Sequence, residues 1–235
     1  MIEFFDEEND FKAGALVCID KDLDWTSFDV VKKVKFGLQR KFDLKKLKVG
    51  HAGTLDPLAT GLVIICTGKG TKQIDKYMGQ TKEYICTVRL GATTPSFDME
   101  TEEDNQFDYK HITRELVEDK LKEFIGEIDQ VPPTFSALKI NGVRAYKMAR
   151  EGEEFEIKSR KILIHEIEIL NFDNPSLELR IVCGKGTYIR SIARDIGLAL
   201  DSGGYLTALR RTAIGDFKVE NALTVDGFLA KLSDF

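Results

Sequence analysis

Metal chemistry has little to build on in this sequence. Its 235 residues include four cysteines, at 18, 66, 86 and 183, with no Cys-x-x-Cys pair, and only three histidines, at 51, 111 and 165. No zinc-ligand spacing exists among them, so no metal site is expected. Cys18, Cys66 and Cys86 each lie in a run rich in Val, Ile and Leu, which suits buried free thiols better than a disulfide framework. Long apolar runs are also missing. The longest span five residues, such as Ala15 to Ile19 and Leu62 to Cys66, against the roughly 20 that a membrane helix needs. The first ten residues carry five acidic groups and no Lys or Arg, the wrong sign for a secretory or transit segment. A cytoplasmic protein with no membrane association is expected.

An excess of basic charge is absent too: 34 Lys and Arg stand against 39 Asp and Glu, for a net charge of -5. That average hides a segregation. Residues 1–10 contribute -5 and residues 98–108 contribute -6, so the other 214 residues carry +6. Residues 31–50 hold eight Lys or Arg and one Asp, and residues 139–150 hold Lys139, Arg144, Lys147 and Arg150 with no acid. Such clusters suit either solvated helix faces or the footprint of a polyanion.

What is present is enough apolar material for a packed core, 43% of positions. No repeat or Pro/Gly/Ser linker divides the chain, so one main domain over 13–235 is expected after an acidic extension at 1–12. Ala15 to Ile19 reads as a buried strand. Thr26 or Ser27 then caps a helix whose Phe28, Val31, Val34 and Leu38 recur at helical spacing. Leu62 to Cys66 and the alternating Glu83 to Leu90 read as strands, and Thr113 to Ile125 as an amphipathic helix. Asn141-Gly142 marks a hairpin with Lys139 and Arg144 near its tip. Lys161 to Phe172, Leu177 to Cys183 and Leu206 to Phe217 read as further strands, with helices at Tyr188 to Leu200 and Val225 to Leu232. Strands that follow one another directly favour an α+β fold with a largely antiparallel mixed sheet.

Three segments could carry chemistry. Gly50 to Gly61 packs three glycines, His51 and Asp56 between a basic helix and a buried strand. Glycines permit close backbone approach, and Pro57 keeps Asp56 out of the helical region. The same residues would also serve as an ordinary Asp-Pro turn. Gly68 to Lys72 lacks the Walker spacing, because six residues separate Gly61 from Gly68 and Gly70 stands where the hydroxyl belongs, so a nucleotidase is disfavoured. Gly184 to Arg190 turns from a strand into a helix. Arg190 in a first helical turn gains nothing from the helix dipole, so a carboxylate partner is expected for it.

Together, GHAGTLDPLATGLVIICTGKGTK, Lys82-Glu83-Tyr84, VPPTFSALKINGVRAYKMAR and CGKGTYIRSIARDIG resemble the TruB family of bacterial tRNA pseudouridine synthases, from about Lys21 to Arg211. The resemblance implies the pseudouridine synthase catalytic fold and an isomerase that converts uridine 55 in the T arm of tRNA to pseudouridine. It implies no cofactor and no obligate protein partner. By position it makes Asp56 the catalytic aspartate, Tyr84 the ring that stacks on the target base, and Arg190 the arginine paired with the aspartate. Leu209 resembles the apolar residue beneath the base, and Tyr188 a support of the pocket. His51 resembles a loop histidine contacting flipped nucleotides, and Lys72 an RNA-contacting lysine. Lys139 and Arg144 of the hairpin join the expected RNA-binding set.

Two departures stand out. The family's first motif usually reads Lys-Pro-x-Gly-x-Thr-Ser, whereas Lys21-Asp22-Leu23-Asp24-Trp25-Thr26-Ser27 has neither the Pro nor the Gly, which puts the local loop shape in question. The sequence also ends at Phe235 without the PUA module that many relatives carry. Three routes stay open for Asp56: attack on the sugar carbon, addition to the base ring, or removal of a sugar proton. Two other readings remain at this point, an RNA-guided synthase subunit and a non-catalytic tRNA-binding or folding module.

Overall fold

The computed structural model describes residues 11–234 except Ala137, Asn141 and Glu154, so residues 1–10 of the expected acidic extension lie outside the described residues. In chain order the elements are β1 (Leu16–Lys21), α1 (Ser27–Lys41), β2 (Val49–His51), β3 (Ala59–Thr67), α2 (Ile74–Met78) and β4 (Lys82–Leu90). Next come β5 (Ala92–Thr93), β6 (Asn105–Gln106), α3 (Arg114–Leu121), β7 (Gly126–Gln130), β8 (Lys139–Ile140), β9 (Val143–Arg144) and α4 (Ala145–Arg150). The chain closes with β10 (Arg160–Asp173), β11 (Ser176–Cys183), α5 (Ile189–Ala199), β12 (Gly204–Ile214), β13 (Phe217–Lys218), β14 (Leu223–Thr224) and α6 (Val225–Ser233). This is the expected α+β class, a mixed sheet of mostly antiparallel strands flanked by helices.

Among the described residues, contacts cluster into two compact units, 11–84 with 209–234, and 85–208. Both boundaries fall inside strands, β4 and β12, which is why no linker marks them in the sequence.

In the first unit, β1 pairs antiparallel with β3 and parallel with β14, while Leu209–Arg211 of β12 runs parallel to Ala59–Gly61 of β3. Apolar residues on both sides of β3 leave Leu62 to Cys66 almost wholly buried. Each fully buried Leu or Ile stabilises by about 1.5–3 kcal/mol. Helix α1 starts at a capping box: the Thr26 hydroxyl accepts from Asp29 N–H, and the Asp29 carboxylate accepts from Thr26 N–H. Its buried stripe is Val30, Val31, Val34 and Leu38. Phe28, expected on that stripe, is instead 60% exposed, because the stripe turns through Val30 and Val31 and leaves Phe28 on the far side. Helices α1 and α6 approach closely at Gly37, where a Cβ would stand 2.9 Å from Leu229.

In the second unit, β10 pairs antiparallel with β11 and with β7. A register shift between Ile164 and Glu166 interrupts the alternation expected along β10. The hairpin forms as β8 and β9, with Lys139 opposite Arg144 and Gly142 at a φ of 86°. Asn141, the other half of that turn signal, lies outside the described residues. Thr113 caps α3, and Tyr188 immediately precedes α5. The strand expected from Leu206 to Phe217 breaks at Gly215, whose φ of 53° turns the chain from β12 into β13. All four cysteines are buried free thiols, and burial pushes Cys18 up to about 12.

Candidate active site

The loop carrying Asp56 is held by buried polar side chains of the first unit. The Ser27 hydroxyl accepts from Leu55 N–H at 2.8 Å and donates to Leu55 O at 3.2 Å, fixing the residue before the aspartate on both sides. Lys21 Nζ donates to Pro57 O at 3.3 Å, to Asp22 O at 2.9 Å and to Trp25 O at 2.6 Å. Arg211 donates from Nε to Leu62 O at 2.7 Å and from a terminal nitrogen to Gly53 O at 3.1 Å. Lys21, Ser27 and Arg211 are 0%, 1% and 1% exposed, so these bonds work away from water, where an unmade partner would be costly. Gly61 closes the loop: at a φ of 106° its missing Cβ would stand 2.3 Å from Arg211 O. The glycine's role is therefore close backbone approach, as its placement suggested.

Burial lowers the Lys21 amine from 10.5 to about 8, and the charge of Asp56 is the largest influence opposing that fall. The Asp56 carboxylate thus favours the charged form of Lys21 against the effect of burial. The motif that departs from the family pattern also finds its physical account here. Asp24 occupies the position of the missing glycine and adopts a φ of 64°, a conformation that Asp tolerates better than most residues. The loop keeps its turn, with Asp24 N–H donating to Pro57 O at 2.9 Å.

Other expected site residues gather on neighbouring strands. Leu209 is the register partner of Ala59, whose N–H donates to Asp56 O at 3.1 Å. Tyr84 lies on the buried face of β4, next to β12 in the sheet. The start of β4 is tied to the end of β12 by Thr212 Oγ1 donating to Glu83 Oε1 at 2.7 Å and by Gly215 N–H donating to Thr81 O at 2.8 Å. His51 ends β2 opposite Ile65 and is half-buried. Burial lowers its pKa, a backbone contact at Gly53 opposes that, and the charge of Arg211 adds to the lowering. Lys72 is exposed on the turn after β3.

Arg190 and Tyr188 belong to the second unit. Tyr188 is fixed through its backbone: its N–H donates to Gln130 Oε1 at 2.9 Å, and Gln130 Nε2 donates to its carbonyl at 3.1 Å. The guanidinium of Arg160 covers its ring at 4.7 Å. Arg190, almost fully buried in the first turn of α5, donates to Ser96 O at 3.1 Å and to Phe135 O at 2.9 Å. It also lies 3.4 Å from Asp98 Oδ2. Within this unit Arg190 thus has a carboxylate neighbour in Asp98, one of the six acids of residues 98–108. Neighbours of Asp98 are engaged too, Glu103 by the Tyr205 hydroxyl at 2.8 Å and Asp104 by the Thr93 hydroxyl at 2.6 Å. Lys139 and Arg144 stand exposed on the hairpin. Lys21, Ser27, Arg211 and Asp98 escaped the sequence reading. For Lys21, its place at the end of the mostly apolar β1 was the available signal.

Known proteins resemble this chain over nearly its whole length. The profile of the TruB family pseudouridylate synthase N-terminal domain matches residues 39–189, and that of the tRNA pseudouridylate synthase B C-terminal domain matches residues 190–234. The chain is 56% identical over 218 residues to a tRNA pseudouridine synthase B of Phocaeicola vulgatus, covering 93% of each. It is 54% identical over 220 residues to the protein of that name in Flavobacterium johnsoniae, covering 93% of this chain and 96% of that one. Among solved structures, a Cbf5-Nop10-Gar1 complex matches with a TM-score of 0.68 and 27% identity, covering 94% of this chain and 60% of that one. The archaeal box H/ACA Nop10-Cbf5 complex matches with a TM-score of 0.65 and 26% identity, covering 94% and 54%. This chain thus spans little more than half the length of those structural relatives.

Proposed function

The chain belongs to the TruB family of pseudouridylate synthases and is a tRNA-modifying isomerase, and we propose that its target is uridine 55 of the T arm and that Asp56 carries the chemistry. The observation behind this reading is the clamping of the Asp56 loop by Lys21, Ser27 and Arg211. A catalytic carboxylate needs this kind of support, because small misplacements of a reacting group are costly in rate. A mere turn residue does not.

In the reaction the bond between base N1 and ribose C1′ breaks, the base rotates, and C1′ joins carbon 5. The proton on carbon 5 goes to water, and N1 gains one. The uridine must first leave its stack, at a cost of a few kcal/mol that an already distorted loop reduces. Asp56 acts from its ionised form whether it attacks the sugar, adds to the ring or takes a sugar proton. Tyr84 supplies a ring face for the base and Leu209 the apolar surface beneath it, while Arg190 completes the catalytic set. His51, Lys72, Tyr188, Lys139 and Arg144 contact the RNA. The whole of 13–235 works as one catalytic domain, in the cytoplasm, without a cofactor or an obligate protein partner.

The test is release of tritium from carbon 5 of uridine in an unmodified tRNA transcript by the protein alone. Release is expected, and replacing uridine 55 with cytidine should abolish it. Binding without release would favour a tRNA-binding module, and release only with added guide RNA and protein partners would favour an RNA-guided subunit.

A further inference from the structure

The outer face of α1 combines features that neither the core nor the Asp56 loop uses. Phe28 and Phe36 are 60% and 66% exposed, a large apolar area to leave in water on one short helix. With half-buried Trp25 they alternate with lysines: Lys32 Nζ lies 4.7 Å from the Phe28 ring centre and Lys33 Nζ 6.0 Å from that of Trp25. Asp24, Trp25, Asp29, Lys32, Lys33 and Phe36 line a surface cavity of about 460 Å³, in which the helical members follow the spacing of a single face. The helix carries five Lys or Arg and one acid, and that acid, Asp29, is occupied by the capping box and by Lys32 at 3.2 Å.

We propose that this face binds an unpaired stretch of RNA, one base entering the cavity between the Trp25 and Phe36 rings while the flanking phosphates meet Lys32, Lys33 and Lys35. The proposal extends the reading of the protein as acting on tRNA and adds a second contact outside the reacting nucleotide. Charge and ring placement select the occupant. A second copy of the chain would bring like-charged helices together. An anionic lipid headgroup would meet the carboxylate of Asp24 at the cavity, whereas a base presents N–H groups to it and leaves its phosphates outside. Aromatic rings framed by lysines are the chemistry by which single strands are held, since every base has a face to stack.

Trp25 is the only tryptophan in the chain, so its fluorescence reports on this cavity alone. The full chain is titrated with a single-stranded oligoadenylate, in parallel with vesicles of phosphatidylserine and phosphatidylcholine, and sedimentation records self-association. Saturable quenching by the oligonucleotide is expected, weakening as salt rises. Phe36→Ala should reduce the affinity roughly five- to a hundredfold, the range for losing one stacked base. Phe28→Ala is a second variant on the same exposed face. No quenching by RNA, quenching that Phe36→Ala and Phe28→Ala leave intact, quenching by vesicles in place of RNA, or loss of quenching through dimer formation would each overturn the proposal. Wild-type quenching without any label release would count against uridine isomerisation while supporting this RNA-binding face, so the two readings fail separately.

Discussion

The guanidinium of Arg190 lies 3.4 Å from the Asp98 carboxylate, and the two side chains are only 4% and 9% exposed. The same guanidinium donates to the carbonyls of Ser96 and Phe135, so one buried cation joins α5 to two chain segments remote in sequence. The pair is therefore a structural junction of the second unit.

Arg190 keeps its two carbonyl acceptors when Asp98 is removed, so the cost should be that of one lost contact to a buried charge, about 1.5–3 kcal/mol. Asp98→Ala should therefore lower the melting temperature by roughly 3–12 °C in a chain of this size, measured by calorimetry. Arg190→Lys keeps the charge but loses the fork that reaches Ser96 O, Phe135 O and Asp98 together. It should depress label release sharply; wild-type turnover in that variant would show that the planar fork is dispensable.

Lys21 gives stability a pH signature. Its amine titrates at about 8 when folded and near its ordinary 10.5 when unfolded, so between those values the unfolded chain holds the extra proton. This residue's contribution to stability therefore rises with pH from about 8 to 10.5, and below 8 it is a constant cost. The buried thiols act oppositely, because burial raises Cys18, Cys66 and Cys86 and the folded chain then keeps protons that the unfolded chain releases. The quantity to measure is the difference between wild type and Lys21→Met in urea unfolding from pH 7.5 to 10. Wild type should gain stability on the variant across that range, and parallel curves would contradict the account.

Asp24 bears the strain that the family's glycine would avoid. Asp24→Ala should lower stability by about 1 kcal/mol, since Ala has no polar side chain to support a positive φ. Asp24→Gly should stay within about 0.5 kcal/mol of wild type, because relieved strain and greater unfolded-chain freedom offset each other. Denaturant midpoints for the two variants test this, and equal midpoints would mean that the turn carries no strain.

Much of this was legible in the sequence because the signals were local. The alternation Tyr84, Cys86, Val88 and Leu90 matches the buried face of β4, Thr26 caps α1, and the glycines and Pro57 around Asp56 mark a tightly built loop. Phe28 misled because an aromatic at helical spacing looks like core until the true stripe is seen to pass through Val30 and Val31. Asp98 was hidden by its company, since a carboxylate among five other acids reads as solvated, and its partner lies 92 positions away. Lys21 and Arg211 were missed for the opposite reason: they sit in strand sequences where a charge looks incidental, and only burial shows that they hold the loop carbonyls.

In the proposed reaction the Asp56 carboxylate is the group that performs the isomerisation. Asp56→Asn keeps the size of the side chain and the loop bonds made by the backbone, but removes the group that can act as nucleophile or base. Release of label from carbon 5 of uridine in a tRNA transcript, measured beside tRNA affinity for the same variant, is the direct test. Turnover below about a hundredth of wild type with affinity nearly intact is the predicted result, since the loss would fall on the chemical step alone. Turnover above that level would contradict the assignment of Asp56.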